Sequence, residues 1–330
     1  MNINWEKLKN IISNNNSFLL STHENPDGDG LGSEVAMYYY LKSQDKDCRI
    51  INISNYTDNY QFLDSDSIIE KYNESNHKQW ISECDCAIIF DIGDYKRLRE
   101  ISNVLSKYDV YKISIDHHPS DDTFFNYRFL DIFSPATGYM VWQYFKFIDF
   151  KLTYDISQGL YAALITDTGS FRYNSTTSDC HIMAKEILDT GVKPYDVYSQ
   201  IYEQRTIGQI NLLSEAINSL EIIDEFACIN ITQKMLSNSN CTLKDVDGFT
   251  DMMRGIKGVE VSFMISEMIN NNFKISFRSR GKYIINDIAN YFGGGGHKLA
   301  AGATVDDSSY EEIKSTILKM LNNKKVELCQ

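Results

Sequence analysis

The amino-acid sequence predicts an α/β protein, with a doubly wound, mainly parallel sheet in its N-terminal half and a smaller α/β domain with a mixed sheet after it. Two observations support this fold class. In the first half, short apolar runs alternate with stretches of helical periodicity, a pattern typical of a parallel sheet covered by helices on both faces. In the second half, two apolar runs are separated by only a few polar residues, which is typical of an antiparallel hairpin.

Length, charge and cysteine content limit the classes of protein that fit. The chain of 330 residues is long enough for two domains, and 43% of it is hydrophobic. A formal net charge of -13 argues against binding to duplex DNA, where Lys and Arg must neutralise phosphates. No stretch has the apolar length of a membrane span, and the N-terminus lacks a signal-peptide layout. The seven cysteines include no zinc-type C-x-x-C pair. We therefore expect a cytoplasmic protein with no membrane partner.

The elements of the first half follow from its apolar periodicity. The first strand, 17–20, ends in a loop rich in Gly, Pro and Asp, and a helix is expected over 33–43. The other strands are predicted at 48–54, 84–92, 110–115 and 127–130. Further helices are predicted at 4–14, 97–106, 136–147 and 157–164. The polar stretch 56–75 is predicted to be mostly loop, and His77 after it to be exposed.

The second half begins after a helical connector. We expect one domain over 1–190, a helical linker over 191–220 and a second domain over 221–330. The helices around this boundary are predicted at 179–190 and 196–219. The second domain is predicted to have strands at 226–232, 260–267, 273–279 and 303–306. Its helices are predicted at 243–253, 285–291 and 310–321.

Acidic residues and histidines cluster where the elements of the first half end. The clustered residues are His23, Asp27, Asp29, Asp91, Asp116, His117, His118 and Asp167. The carboxyl ends of parallel strands share one edge of a sheet, so the clusters that follow the strands can converge. Alone, Asp91 or Asp116 is typical of a helix cap or a turn, and His117 of a hydrogen-bonded core histidine, but three of the chain's six histidines fall within these clusters. Their agreement favours a divalent metal site, because carboxylates without Lys or Arg between them need a cation.

A second candidate site lies near the C-terminus. Four glycines at 293–296 precede His297, and Arg278 and Arg280 come shortly before them. Backbone N–H groups in a run without side chains can form a nest for an anion, although a plain flexible turn is the commoner meaning of such a run. Arginine suits bidentate phosphate binding, so the combination predicts a site for a phosphate or a nucleotide.

These motifs resemble those of a known family. In order along the chain, H-E-N-P-D-G-D, F-D-I-G-D, D-H-H and D-T-G resemble the motifs of the DHH phosphoesterase family. The stretch G-G-G-G-H-K-L-A-A-G, preceded by F-R-S-R, resembles the DHH-associated domain of the same proteins. The most similar subgroup is the NrnA type, which includes nano-RNases, phosphatases of 3′-phosphoadenosine 5′-phosphate (pAp) and phosphodiesterases of linear pApA. The resemblance implies an active site in the cleft between the two domains.

The resemblance also implies a cofactor and a ligand set. It implies two Mn²⁺ ions, for which Mg²⁺ or Co²⁺ could substitute, and a carboxylate and imidazole shell without thiolates suits such ions. The first ion would be held by His23, Asp27 and Asp91. The second would be held by Asp29, Asp91, His117 and Asp167, with Asp91 as the bridge.

The remaining site residues have roles in catalysis or in substrate binding. His118 would face the scissile phosphate. Asp116 would orient a ligand histidine, or would be a strand-end cap without such a role. The expected substrate-binding residues are Arg278, Arg280, Gly294, Gly295, Gly296 and His297.

The function implied is a Mn²⁺-dependent phosphodiesterase that hydrolyses short 5′-phosphorylated oligonucleotides, such as nanoRNA and pApA, to mononucleotides. A phosphatase activity on pAp would share the site. Expected partners are therefore short oligoribonucleotides, linear dinucleotides and pAp, and a homodimer is compatible with the sequence. Two alternatives stay open: an inorganic pyrophosphatase of the same superfamily, and a metal-stabilised nucleotide sensor without turnover.

Overall fold

The computed structural model describes residues 3–120, 123–269 and 272–328. It divides into two compact units, with the boundary between Gln204 and Arg205. The first unit contains a six-stranded parallel sheet and the second a six-stranded mixed sheet, which confirms the predicted fold class.

The sheet of the first unit contains only parallel pairs among the described residues. Its strands are β1 (Ser17–Ser21), β2 (Asp47–Asn52), β3 (Ile69–Lys71), β4 (Cys86–Phe90), β5 (Tyr111–Asp116) and β6 (Tyr127–Leu130). Their order is β3-β2-β1-β4-β5-β6, so the chain builds outward from β1 in one direction and then crosses to β4 and continues in the other. The point between β1 and β4 is the switch point at which open α/β sheets bind ligands.

Helices cover both faces of this sheet. They are α1 (Trp5–Asn14), α2 (Gly28–Ser43), α3 (Glu74–Glu83), α4 (Glu100–Lys107), α5 (Thr137–Phe147), α6 (Tyr154–Asp167), α7 (Ser178–Leu188) and α8 (Pro194–Tyr202). Alternate strand residues enter two separate cores because neighbouring side chains point to opposite faces. Leu20 and Ile88 pack on the face that carries α2, α5 and α6, whereas Leu19 and Ile89 pack on the face that carries α3 and α4.

Helix α2 begins five residues earlier than predicted. The Gly-Asp-Gly stretch that indicated a loop forms its first turn, because the side chain of Asp27 caps the helix. Glycine is needed in the middle of α2, where a Cβ on Gly32 would lie 2.2 Å from the carbonyl oxygen of Gly159 in α6. This close approach fixes α2, and therefore the loop in front of it, against the rest of the unit.

The second unit is built on a mixed sheet. Its strands are β7 (Glu221–Ile223), β8 (Phe226–Ile231), β9 (Val261–Glu267), β10 (Phe273–Ser279), β11 (Gly295–His297) and β12 (Ala300–Val305), in the order β11-β12-β10-β9-β8-β7. Its helices are α9 (Ile207–Asn218), α10 (Gln233–Ser239), α11 (Phe249–Arg254), α12 (Asn286–Tyr291) and α13 (Tyr310–Leu328). Strands β9 and β10 are antiparallel, which confirms the predicted hairpin, whereas β8 and β9 are parallel.

Several local predictions were wrong. The single helix predicted over 196–219 is two helices, α8 packed within the first unit and α9 within the second. The helix predicted over 243–253 is reduced to α11, because Gly248 before it has a φ of 79°. His77 is buried in α3 rather than exposed, and its Nε2 lies 3.1 Å from Glu70 Oε2.

Two further observations concern the whole described chain. None of its helices has the length and apolarity needed to cross a membrane. The six cysteines in the described ranges are free thiols.

Candidate metal centre

The structure brings the predicted metal ligands to one edge of the parallel sheet. His23 follows the end of β1, Asp91 follows β4, and His117 follows β5. Asp167 is the last residue of α6 and completes the cluster from the adjacent helix layer. These residues come from the two sides of the switch point between β1 and β4, where the fold class predicts a ligand.

Asp91 occupies the centre of the cluster. Its Oδ2 lies 3.5 Å from His23 Nε2, and its Oδ1 lies 3.4 Å from His117 Nε2. Its φ of 51° is left-handed, a strained conformation that aspartate tolerates better than most residues. The hydroxyl of Thr137 also donates to Asp91 Oδ1, at 3.2 Å. One carboxylate therefore reaches two separate groups of ligands with its two oxygens.

The first group consists of His23, Asp27 and Asp91. Asp27 Oδ1 accepts hydrogen bonds from the N–H groups of Asp29 and Gly30, each at 3.1 Å. Its other oxygen, Oδ2, lies 3.6 Å from His23 Nε2. Capping of α2 thus orients the carboxylate of Asp27 with one oxygen toward the histidine.

The second group consists of Asp29, His117 and Asp167. His117 Nε2 lies 3.1 Å from Asp167 Oδ2 and 3.8 Å from Asp29 Oδ2. The carboxylate of Asp29 accepts hydrogen bonds from the N–H groups of Thr137, at 2.6 Å, and Gly138, at 2.8 Å. These are the first amides of α5, and a helix N-terminus favours a negative charge. The anchor of Asp29 is therefore a helix end far along the chain.

Backbone carbonyls set the tautomers of the two proposed ligand histidines. His23 Nδ1 lies 2.7 Å from the carbonyl oxygen of Glu24, and His117 Nδ1 lies 3.0 Å from that of Ser134. A carbonyl oxygen only accepts, so each Nδ1 must carry the hydrogen. In the neutral imidazole, Nε2 then presents its lone pair to the carboxylates, as a metal ligand must.

His118 and Asp116 form a pair beside the cluster. Asp116 Oδ1 lies 2.9 Å from His118 Nδ1, and it also accepts from the N–H of His118, at 2.9 Å. Asp116 Oδ2 accepts from the N–H of Gly93, at 2.9 Å. Asp116 thus contacts His118, the residue expected to face the phosphate, rather than a proposed ligand histidine. His118 Nδ1 also lies 3.2 Å from Asp91 Oδ1, so a third potential metal group is Asp91, His117 and His118.

The histidines of the cluster hold protons when no metal ion is bound. Burial alone would lower the pKa of His23, but Asp27 and Asp91 outweigh burial and raise that pKa to about 10. Against the same opposing effect of burial, Asp167 and Asp91 raise the pKa of His117 to about 12. Burial would raise the pKa of Asp91, yet the surrounding histidines hold it well below its usual range. Protons here compete with metal ions for the same nitrogen atoms.

The carboxyl groups of Asp29 and Asp167 respond in the opposite direction. Burial, followed by the negative charges of Asp167 and Asp91, raises the pKa of Asp29 well above its usual range. Burial also raises the pKa of Asp167 to about 6, although its contact with His117 acts to lower it. The repulsion between neighbouring carboxylates is therefore destabilising, and a bound cation would offset it.

A buried polar network behind the cluster escaped the sequence analysis. Asn52 Oδ1 accepts from the N–H of Thr22, at 3.0 Å, and Asn52 Nδ2 donates to Glu34 Oε2, at 2.9 Å. The hydroxyl of Thr22 donates to the carbonyl oxygen of Phe90, at 2.9 Å, which joins the ends of β1 and β4. Burial raises the pKa of Glu34 to about 8, although the hydrogen bond from Asn52 acts to lower it. The network holds the residues immediately before His23 and Asp91 in register.

The predicted arginines of the second unit make internal contacts. Arg278 Nε donates to Asp251 Oδ2, at 3.0 Å, and Arg254 Nη2 lies 3.1 Å from the other oxygen of that carboxylate. Arg280 donates from Nε to the carbonyl oxygen of Arg254, at 3.0 Å, and from Nη2 to that of Ile256, at 3.1 Å. Arg280 therefore satisfies carbonyl groups at the C-terminal end of α11, a structural role that the sequence did not indicate.

The glycine run is partly an edge strand rather than a loop. Gly295 to His297 form β11, which pairs with β12 in antiparallel fashion. A Cβ on Gly294 would lie 2.1 Å from the carbonyl oxygen of Gly302, and one on Gly296 would lie 2.6 Å from that of Ala300. Packing within the sheet thus accounts for these two glycines. A Cβ on Gly295 would approach only Asn290 Oδ1, at 3.6 Å.

The donor set of the cluster fits divalent metal ions. Its candidate groups contain only imidazole nitrogens and carboxylate oxygens, and the donor atoms of each group lie within 4.8 Å of one another. Such mixed ligands suit Mn²⁺ and similar ions. The hydrogen-bonded Nδ1 atoms support this fit, because they leave each Nε2 lone pair free to bind a cation. The crowded carboxylates support it as well, because a cation would offset their repulsion.

Two family models match this chain. The model described as "DHH family, N-terminal domain" matches residues 17–166. The model described as "DHHA1 domain" matches residues 226–324. The first match spans the sheet of the first unit and the cluster up to α6, and the second spans most of the second unit.

Known proteins align over nearly the whole chain. The bifunctional oligoribonuclease and PAP phosphatase NrnA of Thermus thermophilus is 26% identical, over 96% of this chain and 95% of its own. The protein with the same description from Bacillus subtilis is 24% identical, over 91% of this chain and 92% of its own. A crystal structure of an exopolyphosphatase-related protein from Bacteroides fragilis superposes with a TM-score of 0.94 at 25% identity, covering 99% of this chain and 97% of the other.

Proposed function

Because the chain belongs to the DHH family and carries a DHHA1 domain, we propose that it is a metal-dependent phosphodiesterase of short 5′-phosphorylated oligonucleotides. Its substrates would be nanoRNA and linear dinucleotides such as pApA, and its products mononucleotides. Phosphatase activity on pAp would use the same site. The observation that carries the proposal is the position of Asp91, whose two oxygens reach two separate groups of histidine and aspartate ligands.

In this proposal two Mn²⁺ ions are held by six residues, which are His23, Asp27, Asp29, Asp91, His117 and Asp167. When bound, such ions neutralise phosphate charge and activate water for attack on the phosphorus. Mg²⁺ or Co²⁺ would be substitutes for Mn²⁺. Asp91 sets the distance between the two ligand groups, and the carbonyls of Glu24 and Ser134 keep the two histidine Nε2 atoms turned inward.

His118 is the proposed electrostatic catalyst. Burial would lower its pKa, but Asp116 and Asp91 outweigh burial and raise the pKa to about 10. In the metal-free protein the imidazole therefore carries a proton at neutral pH. In the proposed reaction it donates to a phosphate oxygen as negative charge develops there. Asp116 holds Nδ1 of the ring and so fixes its orientation, which makes Asp116 a positioning residue.

Three observations support small nucleotide substrates. The curated relatives from Thermus thermophilus and Bacillus subtilis are described as oligoribonucleases and PAP phosphatases. The net charge of -13 disfavours long nucleic acid, whose binding depends on many phosphate contacts, but a metal centre can still attract a small anion. In the second unit, a Cβ on Gly295 would meet only Asn290 Oδ1, at an ordinary contact distance of 3.6 Å, and His297 follows it in β11. We propose that this strand and Arg278 hold the terminal nucleotide.

A product assay tests the proposal against its alternatives. The purified protein would be incubated with Mn²⁺ and one of three substrates at a time, pApA, pAp or inorganic pyrophosphate. The products would be separated by chromatography. We expect AMP from pApA and from pAp. Hydrolysis of pyrophosphate alone would favour the pyrophosphatase, and binding of pApA without any product would favour the sensor. Asp91→Ala should abolish product formation, whereas Tyr108→Ala, on the surface before β5, should leave it unchanged.

A further inference from the structure

A strained turn follows Asp167 directly and presents an arginine and a tyrosine at the surface. Gly169, Ser170 and Phe171 have φ values of 55°, 58° and 64°, so three successive residues are left-handed. Two of them carry side chains that disfavour this conformation. Such conformations persist where the surrounding structure holds them, and they concentrate at functional sites.

The turn is held rigidly. The N–H of Ser170 donates to the carbonyl oxygen of Ile165, at 2.7 Å, and the N–H groups of Arg172 and Tyr173 both donate to that of Thr168, at 2.9 Å and 3.0 Å. The ring of Phe171 stacks on His181, with centroids 4.9 Å apart. The strain therefore keeps two side chains in one orientation rather than making the segment mobile.

The ring of Tyr173 packs on the backbone of the turn and is partly exposed. Its ring lies over Gly169, and a Cβ on that glycine would be 2.5 Å from the Cζ of Tyr173. The side chain nevertheless remains 45% exposed, so the ring packs one face on the backbone and offers the rest to solvent. Tyr202 adds a second half-exposed ring nearby, because its hydroxyl donates to the carbonyl oxygen of Ile165 in the last turn of α6, at 3.3 Å.

The guanidinium of Arg172, next to Tyr173 in the chain, is positioned to bind an anion. Its Nε donates to the carbonyl oxygen of Gly169, at 2.6 Å, which anchors one side of the guanidinium. Within the described ranges, the structure gives the Nη groups of this residue no acceptor. In a chain with a net charge of -13, a rigid arginine with open donors five residues from a proposed metal ligand complements an anionic ligand.

We propose that Arg172 and Tyr173 form a nucleotide subsite, in which Tyr173 stacks on a nucleobase of the substrate and Arg172 binds a phosphate oxygen of the same nucleotide. Single-stranded nucleic acid is commonly recognised by aromatic stacking together with arginine. The proposal rests on the proposed function, because it assigns the subsite to the oligonucleotide cleaved at the adjacent cluster.

The test measures binding, not turnover. The probes are a pApA analogue, in which a methylene-bridged phosphonate replaces the internal phosphate, and its counterpart that lacks both bases. Affinities for the Mn²⁺-loaded protein would be measured by titration calorimetry. We expect loss of the bases to weaken binding to the unsubstituted protein about tenfold or more, the scale of base stacking on an aromatic ring. In Tyr173→Ala that loss should largely disappear, whereas Tyr173→Phe should retain it.

Control variants separate the subsite from general effects. Arg172→Ala should weaken both probes to a similar extent, and Arg172→Lys should restore only part of the affinity, because lysine lacks the planar fork. Tyr108→Ala and Lys9→Ala remove an exposed tyrosine and an exposed lysine from elements that precede β5 and β1, and should change neither affinity. Melting temperatures would show that each variant is folded.

The outcomes distinguish the subsite from the proposed function. If Tyr173→Ala retains the full preference for the probe with bases, the subsite is refuted, even if pApA is cleaved normally. If the base preference depends on Tyr173 but pApA is not cleaved, the subsite stands and the phosphodiesterase proposal fails. If Tyr173→Ala changes the oligomeric state and not the affinity, the turn is a contact between copies and the subsite is likewise refuted.

Discussion

Metal loading should release protons from the cluster, because the histidine nitrogens that would bind metal carry protons in the metal-free protein. The pKa of His23 is raised to about 10 and that of His117 to about 12. At pH 7.5 both imidazoles are therefore almost fully protonated, and binding at both Nε2 atoms must displace about two protons. Burial and the neighbouring carboxylates also raise the pKa of Asp29, which favours proton release in the same direction.

Titration calorimetry measures this number. The heat of Mn²⁺ binding would be recorded at pH 7.5 in several buffers that differ in ionisation enthalpy, and the slope against that enthalpy gives the protons released. We expect a release of about two. His118→Gln should release the same number if His118 keeps its proton and acts on the phosphate, and about one fewer if it is a metal ligand. A release near zero in the unsubstituted protein would refute the protonated cluster.

Three further predictions follow from the geometry of the two units. The metal-free protein should lose stability as pH rises from about 6.5 toward 10. The raised pKa values of His23 and His118 stabilise the folded state fully below the pKa of an unfolded histidine, and this stabilisation is lost as the pH approaches the folded pKa. Urea denaturation across this range checks the prediction, and a flat profile would contradict it. Gly294→Ala should lower the free energy of unfolding by about 1–3 kcal/mol, because the added Cβ would meet a backbone oxygen. Gly295→Ala should change that free energy by less than about 0.5 kcal/mol, so equal losses in thermal denaturation would refute the distinction. Asp116→Asn should keep both metals and move the alkaline limb of the kcat profile to lower pH, because Asp116 raises the pKa of His118; loss of metal would instead make Asp116 part of the ligand set.

The parallel sheet and the convergence of its strand ends could be predicted from the sequence. Apolar runs of four to nine residues identified β1, β4 and β5, and the fold class then placed His23, Asp91 and His117 at one edge. The three-residue edge strands β3, β7 and β11 were missed. A strand that short shows no alternation, and tertiary pairing rather than local sequence determines it.

Other parts of the site depend on contacts that no local pattern reveals. Asp29 is held by the amides of Thr137 and Gly138, and these residues are more than a hundred positions away in the sequence. The burial of His77 depends on α3, a helix that was not predicted because its charged residues obscure the apolar face. Arg280 illustrates the converse, since a residue type suited to phosphate is used to satisfy the carbonyls of α11.

We propose that one carboxylate, that of Asp91, would hold both metal ions of a single catalytic centre. Metal content per chain, measured by mass spectrometry after dialysis against Mn²⁺ and removal of free ions, tests it most directly. We expect about two ions in the unsubstituted protein and in His118→Ala, and fewer than about one in Asp91→Ala, whose folding circular dichroism would verify. Two ions retained in Asp91→Ala, or an equal loss in His118→Ala, would contradict the bridge.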